Sequence, residues 1–373
     1  MIPTVTTEIG VLRVALAMEH VVGHAVYAAE MERHLASRDD LQVRAVPVTF
    51  YEENGWLERL PAVPAALRAA WRARNQVMKR LDGWDADVIF WNTQKPACLC
   101  LDVLTKCPSV ISLDVTPMQY DGEIGRGYGH QPDRWGPMIA AKYWLNRRVF
   151  HQARRLLPWS NWARMSLIED YGVSPEAIEV LSPGADLSRF YPPAHRSPAP
   201  DGKVRLLFVG GDFERKGGDT LLEWFRTSAT ARDCVLHVVT RAEFEAGDGV
   251  FVHRLSQDDE RLPALYREAD VFVLPTRAEC FGIVFTEALA SGIPVVSCDV
   301  GGVSEVVRDG ENGLLVPAGD VQGLDHALTA IVRDQALRQR LGSRGRALAE
   351  ERFDSRKNAF RVAEILREVA EKR

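Results

Sequence analysis

Two carboxylates and two cations are spaced so that they could act together on one phosphorylated ligand. In RAECFGIVFTEALASGIPVV (277–296), Glu279 precedes an apolar run, Gly282 opens a helix and Glu287 lies inside it. In FVGGDFERKGGDTLLEWF (208–225), a strand ends at Gly210-Gly211 and a tight loop carries Arg215 and Lys216. Gly217-Gly218 then lead into a helix whose first turn holds Asp219, a residue type favoured at helix starts. Free N–H groups and roughly half a positive charge at a helix N-terminus add to nearby side-chain cations and make an anion site. A diphosphate fits such a place. The plain alternative for the second stretch alone is a solvated Arg-Lys turn; the first stretch, on an adjoining strand end, favours the site.

Those loops need strands to carry them. VLRVALAM (11–18), VRAVPVTF (43–50), DVIFW (87–91), SVISLDV (109–115) and AIEVLS (177–182) read as short strands. Helical segments fall at about 24–37, 65–81, 96–106 and 137–152 between them. This alternation predicts a parallel sheet wrapped by helices. The proline- and glycine-loaded stretch PGADLSRFYPPAHRSPAPDG (183–202) interrupts it. The alternation restarts with KVRLLFVG (203–210), CVLHVVT (234–240), DVFVLP (270–275), PVVSCD (294–299) and GLLVP (313–317). The expected fold class is therefore α/β, with two Rossmann-like domains facing across a cleft. The domains are placed at 1–186 and 203–354, joined by a linker at 187–202. Ligands of open parallel sheets sit at the carboxyl ends of strands, which directs attention to the loops after 210, 275 and 299.

Composition narrows the function classes. With 373 residues and 46% apolar content the chain can fill two cores, as expected for its length. A formal charge of −5 excludes a globally basic nucleic-acid binder. Six scattered cysteines, no apolar leader before the first strand and no run of about 18 apolar residues point to a reduced, cytoplasmic protein. Cys98, Cys100 and Cys107 read as buried thiols rather than a metal clip, because no histidine lies near and their spacing differs from zinc knuckles. Asp85-Ala-Asp87 mimics a metal-binding acid pair, but Asp87 opens a strand with Asp85 in the turn before it.

The N-terminal half also holds two acid-free basic intervals. One carries Arg59, Arg68, Arg72, Arg74, Lys79 and Arg80; the other carries Arg134, Lys142, Arg147, Arg148, Arg154, Arg155 and Arg164. In AALRAAWRARNQVMKRL (65–81), Leu67, Trp71, Met78 and Leu81 follow helical spacing, with Arg68, Arg72 and Lys79 as a neighbouring stripe. The helix reads either as an ordinary solvated one or as a peripheral contact with an anionic membrane, with Trp71, Trp135 and Trp144 standing among the arginines.

The stretches VGGDFERKGGD and YREADVFVLPTRAECFGIVFTEALASGIPVVSCDVGGVSEVVRDGENGLLVPAGD (266–320) resemble the donor domain of the family 4 retaining glycosyltransferases of the GT-B fold. The shared mark is a Glu, seven residues, then Glu, carried here by Glu279 and Glu287. The likeness extends to Gly301-Gly302, Glu305, Asp309-Gly310, Asn312-Gly313 and, upstream, Pro183-Gly184-Ala185-Asp186. It is close over about 170–373, whereas the N-terminal half follows the family only in outline.

The resemblance implies metal-independent transfer of a hexosyl group, with retention, from a UDP- or GDP-sugar to an acceptor hydroxyl, without a bound cofactor. It implies that Glu279 meets hydroxyls of the transferred sugar and that the backbone of Phe281, Gly282, Ile283 and Val284 meets phosphates and sugar. Glu287 would grip the ribose, and Arg215 and Lys216 would neutralise the diphosphate. Gly211 stands where many members have an arginine. In the N-terminal domain Gly23 and His24 would approach the diphosphate, and Asp114 stands where members often carry a histidine near the reacting carbon. The family's last helix crosses back to the first domain, so 355–373 is expected there. A lipid or lipid-linked acceptor fits the basic intervals. Two alternatives use the same fold: a sugar-nucleotide isomerase (epimerase) and an inactive donor-binding subunit.

Overall fold

The computed structural model describes residues 10–20, 23–52, 55, 57–59, 65–195 and 201–372. The first sheet runs entirely parallel in the order β2-β1-β3-β4-β5. Its strands are β1 (Leu12–Glu19), β2 (Leu41–Val48), β3 (Val88–Trp91), β4 (Ser109–Leu113) and β5 (Arg155–Pro158). The second sheet is also parallel, ordered β11-β10-β9-β6-β7-β8. It comprises β6 (Val204–Val209), β7 (Cys234–Val239), β8 (Val250–His253), β9 (Val271–Leu274), β10 (Val295–Cys298) and β11 (Gly313–Val316). Strands β3, β4, β9 and β10 are buried along their whole length, as required of strands with helices on both faces.

The two halves repeat one device at the edge opposite the cleft. Asp87, just before β3, accepts from the backbone N and Nε of Arg13 on β1, at 2.9 and 3.3 Å. Asp270, just before β9, accepts from the backbone N and Nε of Arg205 on β6, both at 2.9 Å. Each pair ties the central strand to its neighbour in register. It also occupies Asp87, the residue that resembled one half of a metal-binding acid pair.

Three expectations need correction. The stretch 177–182 is not a strand: it runs beside β5 with an isolated bridge at Leu156–Ile178 and backbone hydrogen bonds from Glu179 to Leu156 and from Leu181 to Pro158, and the fifth strand is Arg155–Pro158. RLLP is too short and too near proline to declare itself. The segment 96–106 splits into Gln94–Cys98 and Leu101–Lys106, because Cys100 adopts a non-helical ψ of 39°. The helix Ala65–Leu81 is rolled away from the expected face. Ala73 and Val77 pack inward, while Trp71 and Met78 are exposed. Arg72, expected in the solvated stripe, is only 5% exposed and is held by both oxygens of Glu58, one at 2.6 Å. A guanidinium tolerates burial when a carboxylate takes both of its prongs.

The last helix, Ser355–Glu371, leaves the second sheet and packs on the helix Gly23–Ala36 and against β3 and β4 of the first domain. Ser355 Oγ donates to Glu30 at 2.8 Å, Arg367 reaches Asp40 at 2.8 Å, and Arg361 pairs with Glu179 at 2.8 Å. Its buried Val362, Ile365, Leu366 and Val369 join a core that continues through both domains. Part of the expected linker, residues 196–200, lies outside the described residues.

Candidate functional site

The loop from β6 to the helix Gly218–Thr227 is bent back by Gly217, whose φ of 75° lies in the left-handed region. A Cβ there would overlap the carbonyl oxygen of Pro275. Glycine thus lets this loop lie against the one that follows β9. The second loop turns through Gly282, φ 86°, into the helix Ile283–Ala290. Together the two turns bring Lys216 onto Glu279, where the ammonium donates to Oε2.

Arg215 is buried on the same loop. Its Nη1 donates to the Ala278 carbonyl at 2.7 Å, its Nε to Asp212 at 2.8 Å, and the guanidinium lies 3.9 Å from the centre of the Tyr128 ring. Burial opposes its charge, but Tyr128, Glu279 and Asp212 more than offset this and hold its pKa above the ordinary value. Tyr128 comes from the opposite domain, and its hydroxyl donates across the cleft to Glu279 Oε1 at 3.4 Å. Burial and the Glu279 charge push the Tyr128 phenol well above its usual range, so it remains a donor. Nothing in the sequence pattern singled out Tyr128. It follows the short helix Glu123–Gly127 in a stretch whose meaning depends on the long-range contact.

Across the cleft, His24 and Asp114 meet at 3.4 Å, Nε2 to Oδ2. Gly23 and His24 begin the helix that follows β1, and Asp114 follows β4, so the pair stands at two strand ends of the first sheet. Burial alone would discharge both groups. The mutual attraction outweighs it, raising His24 and lowering Asp114. His24 Nδ1 is buried without a partner, a free ring donor that a ligand oxygen can satisfy. Trp159 backs this corner, its ring 5.1 Å from His24 and 5.9 Å from Phe281 of the other domain.

Glu287 belongs to a second compartment. It is buried beside a cavity of about 140 Å³ lined by Ala25, Val26, Asp186, Arg189, Gln257 and Asp258, among others. Burial pushes its carboxyl up to about 7, against the pull of the Tyr266 hydroxyl at 2.8 Å and of Arg189. The carboxylate form is the one that accepts two hydroxyl donors. A ligand that donates hydroxyls to Glu287 should therefore bind more tightly as pH rises between about 6 and 8. Glu287→Gln should flatten that dependence, and Tyr266→Phe should move its midpoint upward; calorimetric titration across this range reads both. The same shift has a stability sign. The folded protein holds the proton that the unfolded chain has released, so this group costs stability as pH rises from its ordinary range to about 7.

The remaining expected positions fall at these walls. Phe281 and Ile283 are buried and Val284 half-buried at the start of the helix beneath Glu279. Gly211 is open, with nothing within 4 Å of a Cβ placed there. Glu305 does something that its sequence position did not reveal. Its two oxygens accept from the backbone N–H groups of Asn161 and Trp162, both at 2.7 Å, at the start of a helix in the other domain. One carboxylate thereby caps a helix across the cleft.

Residues 21–189 match the family described as Glycosyltransferase Family 4, and residues 194–348 match that described as Glycosyl transferases group 1. The chain belongs to the family 4 glycosyltransferases. Similar chains of this family include an MMP alpha-(1->4)-mannosyltransferase from Mycolicibacterium hassiacum, 32% identical over 60% of each chain. Another is a D-inositol 3-phosphate glycosyltransferase from Nocardia farcinica, 34% identical over 54% of this chain and 50% of that one. The chain thus spans about half to 60% of the length of these curated relatives. Among solved structures, a sucrose-phosphate synthase from Thermosynechococcus elongatus superposes with a TM-score of 0.79 at 18% identity, covering 97% of this chain and all of that one (100%). Anabaena Alr3699/HepE in complex with UDP and glucose gives 0.66 at 18% identity, covering 95% and 98%. At such identities the structural likeness establishes the GT-B glycosyltransferase fold.

Proposed function

We propose that this chain transfers a hexosyl group, with retention and without a metal ion, from a UDP- or GDP-sugar to an acceptor hydroxyl. The observation that carries the reading is the convergence of Lys216, Arg215 and Glu279 in front of the helix Ile283–Ala290. The cations are held before any ligand arrives, and they face the place where negative charge grows as a diphosphate leaves. In the transfer the bond from the anomeric carbon to the diphosphate breaks and the bond to the acceptor oxygen forms on the same face. The acceptor's proton passes to the departing phosphate oxygen, so no protein nucleophile is required. Glu279 orients the sugar, with Tyr128 beside it; Glu287 takes the ribose; the His24–Asp114 pair faces the reacting carbon from the other domain.

The names of the relatives, a mannosyltransferase and an inositol phosphate glycosyltransferase, agree with this chemistry, as do the UDP and glucose held by Anabaena Alr3699/HepE, a protein of like fold. The acceptor enters from the N-terminal side and is a lipid or lipid-linked alcohol at an anionic membrane. No helix among the described residues is long and apolar enough to cross a membrane; the contact proposed is a peripheral one through the basic face of the first domain. A thermal-shift series with UDP, GDP, ADP and their hexose conjugates tests the donor assignment, because a ligand at about 100 times its Kd stabilises by about 2.7 kcal/mol. One base should raise the melting temperature by several degrees in wild type and less in Glu287→Ala. No shift with any of them would refute the donor site.

A further inference from the structure

We infer that Tyr128 is a positioning residue for the transfer, supplied by the first domain and effective only when that domain is seated on the loop carrying Glu279. The inference rests on the proposed transfer and names what completes its site. Hydroxyl and ring reach two different groups. The hydroxyl lies 3.4 Å from Glu279 Oε1 while Lys216 holds Oε2, so the carboxylate is tethered at both oxygens and from both domains. The ring covers one face of the Arg215 guanidinium, its centre 3.9 Å away. In its own plane that guanidinium is fixed by the Ala278 carbonyl and Asp212, and its Nη2 makes no hydrogen bond among the described residues. Bonds along the edge and a ring over the face leave the group one orientation, with Nη2 available to a phosphate oxygen.

Tyr128 does not swing freely, because its segment is braced against the first domain. The Met118 backbone N–H donates to the Tyr171 hydroxyl at 3.1 Å, and Gln119 Nε2 donates to the Trp162 carbonyl at 2.8 Å. Asp121 Oδ1 meets both His130 Nε2 and Lys142 Nζ at 2.7 Å, and the Tyr120 ring lies 5.8 Å from that of Tyr128. Tyr128 therefore travels with the domain. The seat that it needs is narrow. A Cβ on Gly127 would overlap the Ala278 methyl across the cleft. One on Gly301, φ 55°, would overlap the Glu279 carbonyl oxygen and stand 3.3 Å from Ile124 Cδ1. A glycine on each side thus lets the helix Glu123–Gly127 lie directly on the loop that carries Glu279. Separating the domains would uncover Arg215 and release one oxygen of Glu279, so the constellation is complete only when they meet.

Initial rates of nucleoside diphosphate release, with water as acceptor and UDP-glucose or GDP-mannose as donor, test this. Tyr128→Phe keeps the ring and should lower kcat by about threefold, whereas Tyr128→Leu loses ring and hydroxyl and should lower it by about tenfold or more. The donor KM should move by less than about threefold in both, because the contacts being lost act through Arg215 and Glu279. Gly127→Ala should lower kcat to a similar degree, and adding Ala278→Gly, which removes the opposing methyl, should recover most of that loss. A general loss of stability would not be relieved by deleting a further methyl group. Wild-type kcat in Tyr128→Leu would overturn the inference. So would tighter binding of the nucleotide sugar by that variant, which would make the ring a block in the sugar's place, or a Gly127→Ala loss that Ala278→Gly leaves in full. Lys216→Ala in the same assay separates the two readings. A large loss there with none in Tyr128→Leu removes this inference and leaves the transfer standing, whereas no donor turnover by wild type removes both.

Discussion

Lys216→Ala is expected to lower donor turnover by about 10²-fold or more, the scale seen when one preorganised charge donor to a transition state is lost. The reason is geometric. Lys216 is only slightly exposed, its ammonium is fixed by Glu279, and it shares its loop with the buried Arg215. Negative charge on a departing diphosphate would find this cation already in place. Its loss should fall on kcat more than on KM, because the charge it meets is greatest in the transition state. Glu287→Ala should show the opposite split, with weaker donor binding and a smaller change in kcat. Initial rates of nucleoside diphosphate release over a range of donor concentrations separate the two, and equal effects on both parameters in both variants would contradict the assigned roles.

Gly217→Ala should be the most damaging single-methyl change near the site. The residue combines a φ of 75° with a Cβ direction that runs into the Pro275 carbonyl oxygen. Either the β6 loop or the β9 loop must move, and backbone strain of this kind costs about 1–3 kcal/mol before the steric overlap is added. A loss of about 2 kcal/mol or more in urea unfolding is expected. Turnover should fall as well, since the same displacement separates Lys216 from Glu279. Gly247→Ala is a fair control, for its Cβ would meet nothing within 4 Å, and it should change stability by no more than about 0.5 kcal/mol.

The meeting of the two glycine-rich loops was legible because its signals are local. Gly210-Gly211, Arg215-Lys216 and Gly217 fall within one turn of chain, and Glu279 to Glu287 spans one loop and one helix, so spacing alone carried the pattern. The return of the last helix was also readable, although from resemblance rather than periodicity. Features that depend on meetings between distant segments were not. Tyr128 acquires its position from Arg215 and Glu279 in the other domain, and Glu305 caps a helix some 140 positions away in the chain. Neither leaves a periodic trace. Arg72 shows a related failure: an arginine in a stripe with Arg68 and Lys79 looks solvated until Glu58 folds over it. The strand Val250–His253 was passed over because VFVH sits at the sheet edge and is only partly buried, which weakens the apolar signal that marks inner strands.

The most direct test of retaining, metal-independent transfer needs no knowledge of the acceptor, because water can take its place. The enzyme is incubated in EDTA with the nucleotide sugar that stabilises it, and the first-formed anomer of the released hexose is followed by proton NMR before mutarotation sets in. The account predicts slow release of a hexose with the anomeric configuration of the donor, undiminished by the chelator and reduced by about 10²-fold in Lys216→Ala. Release of the opposite anomer first, or release that EDTA abolishes or that Lys216→Ala leaves unchanged, would contradict it.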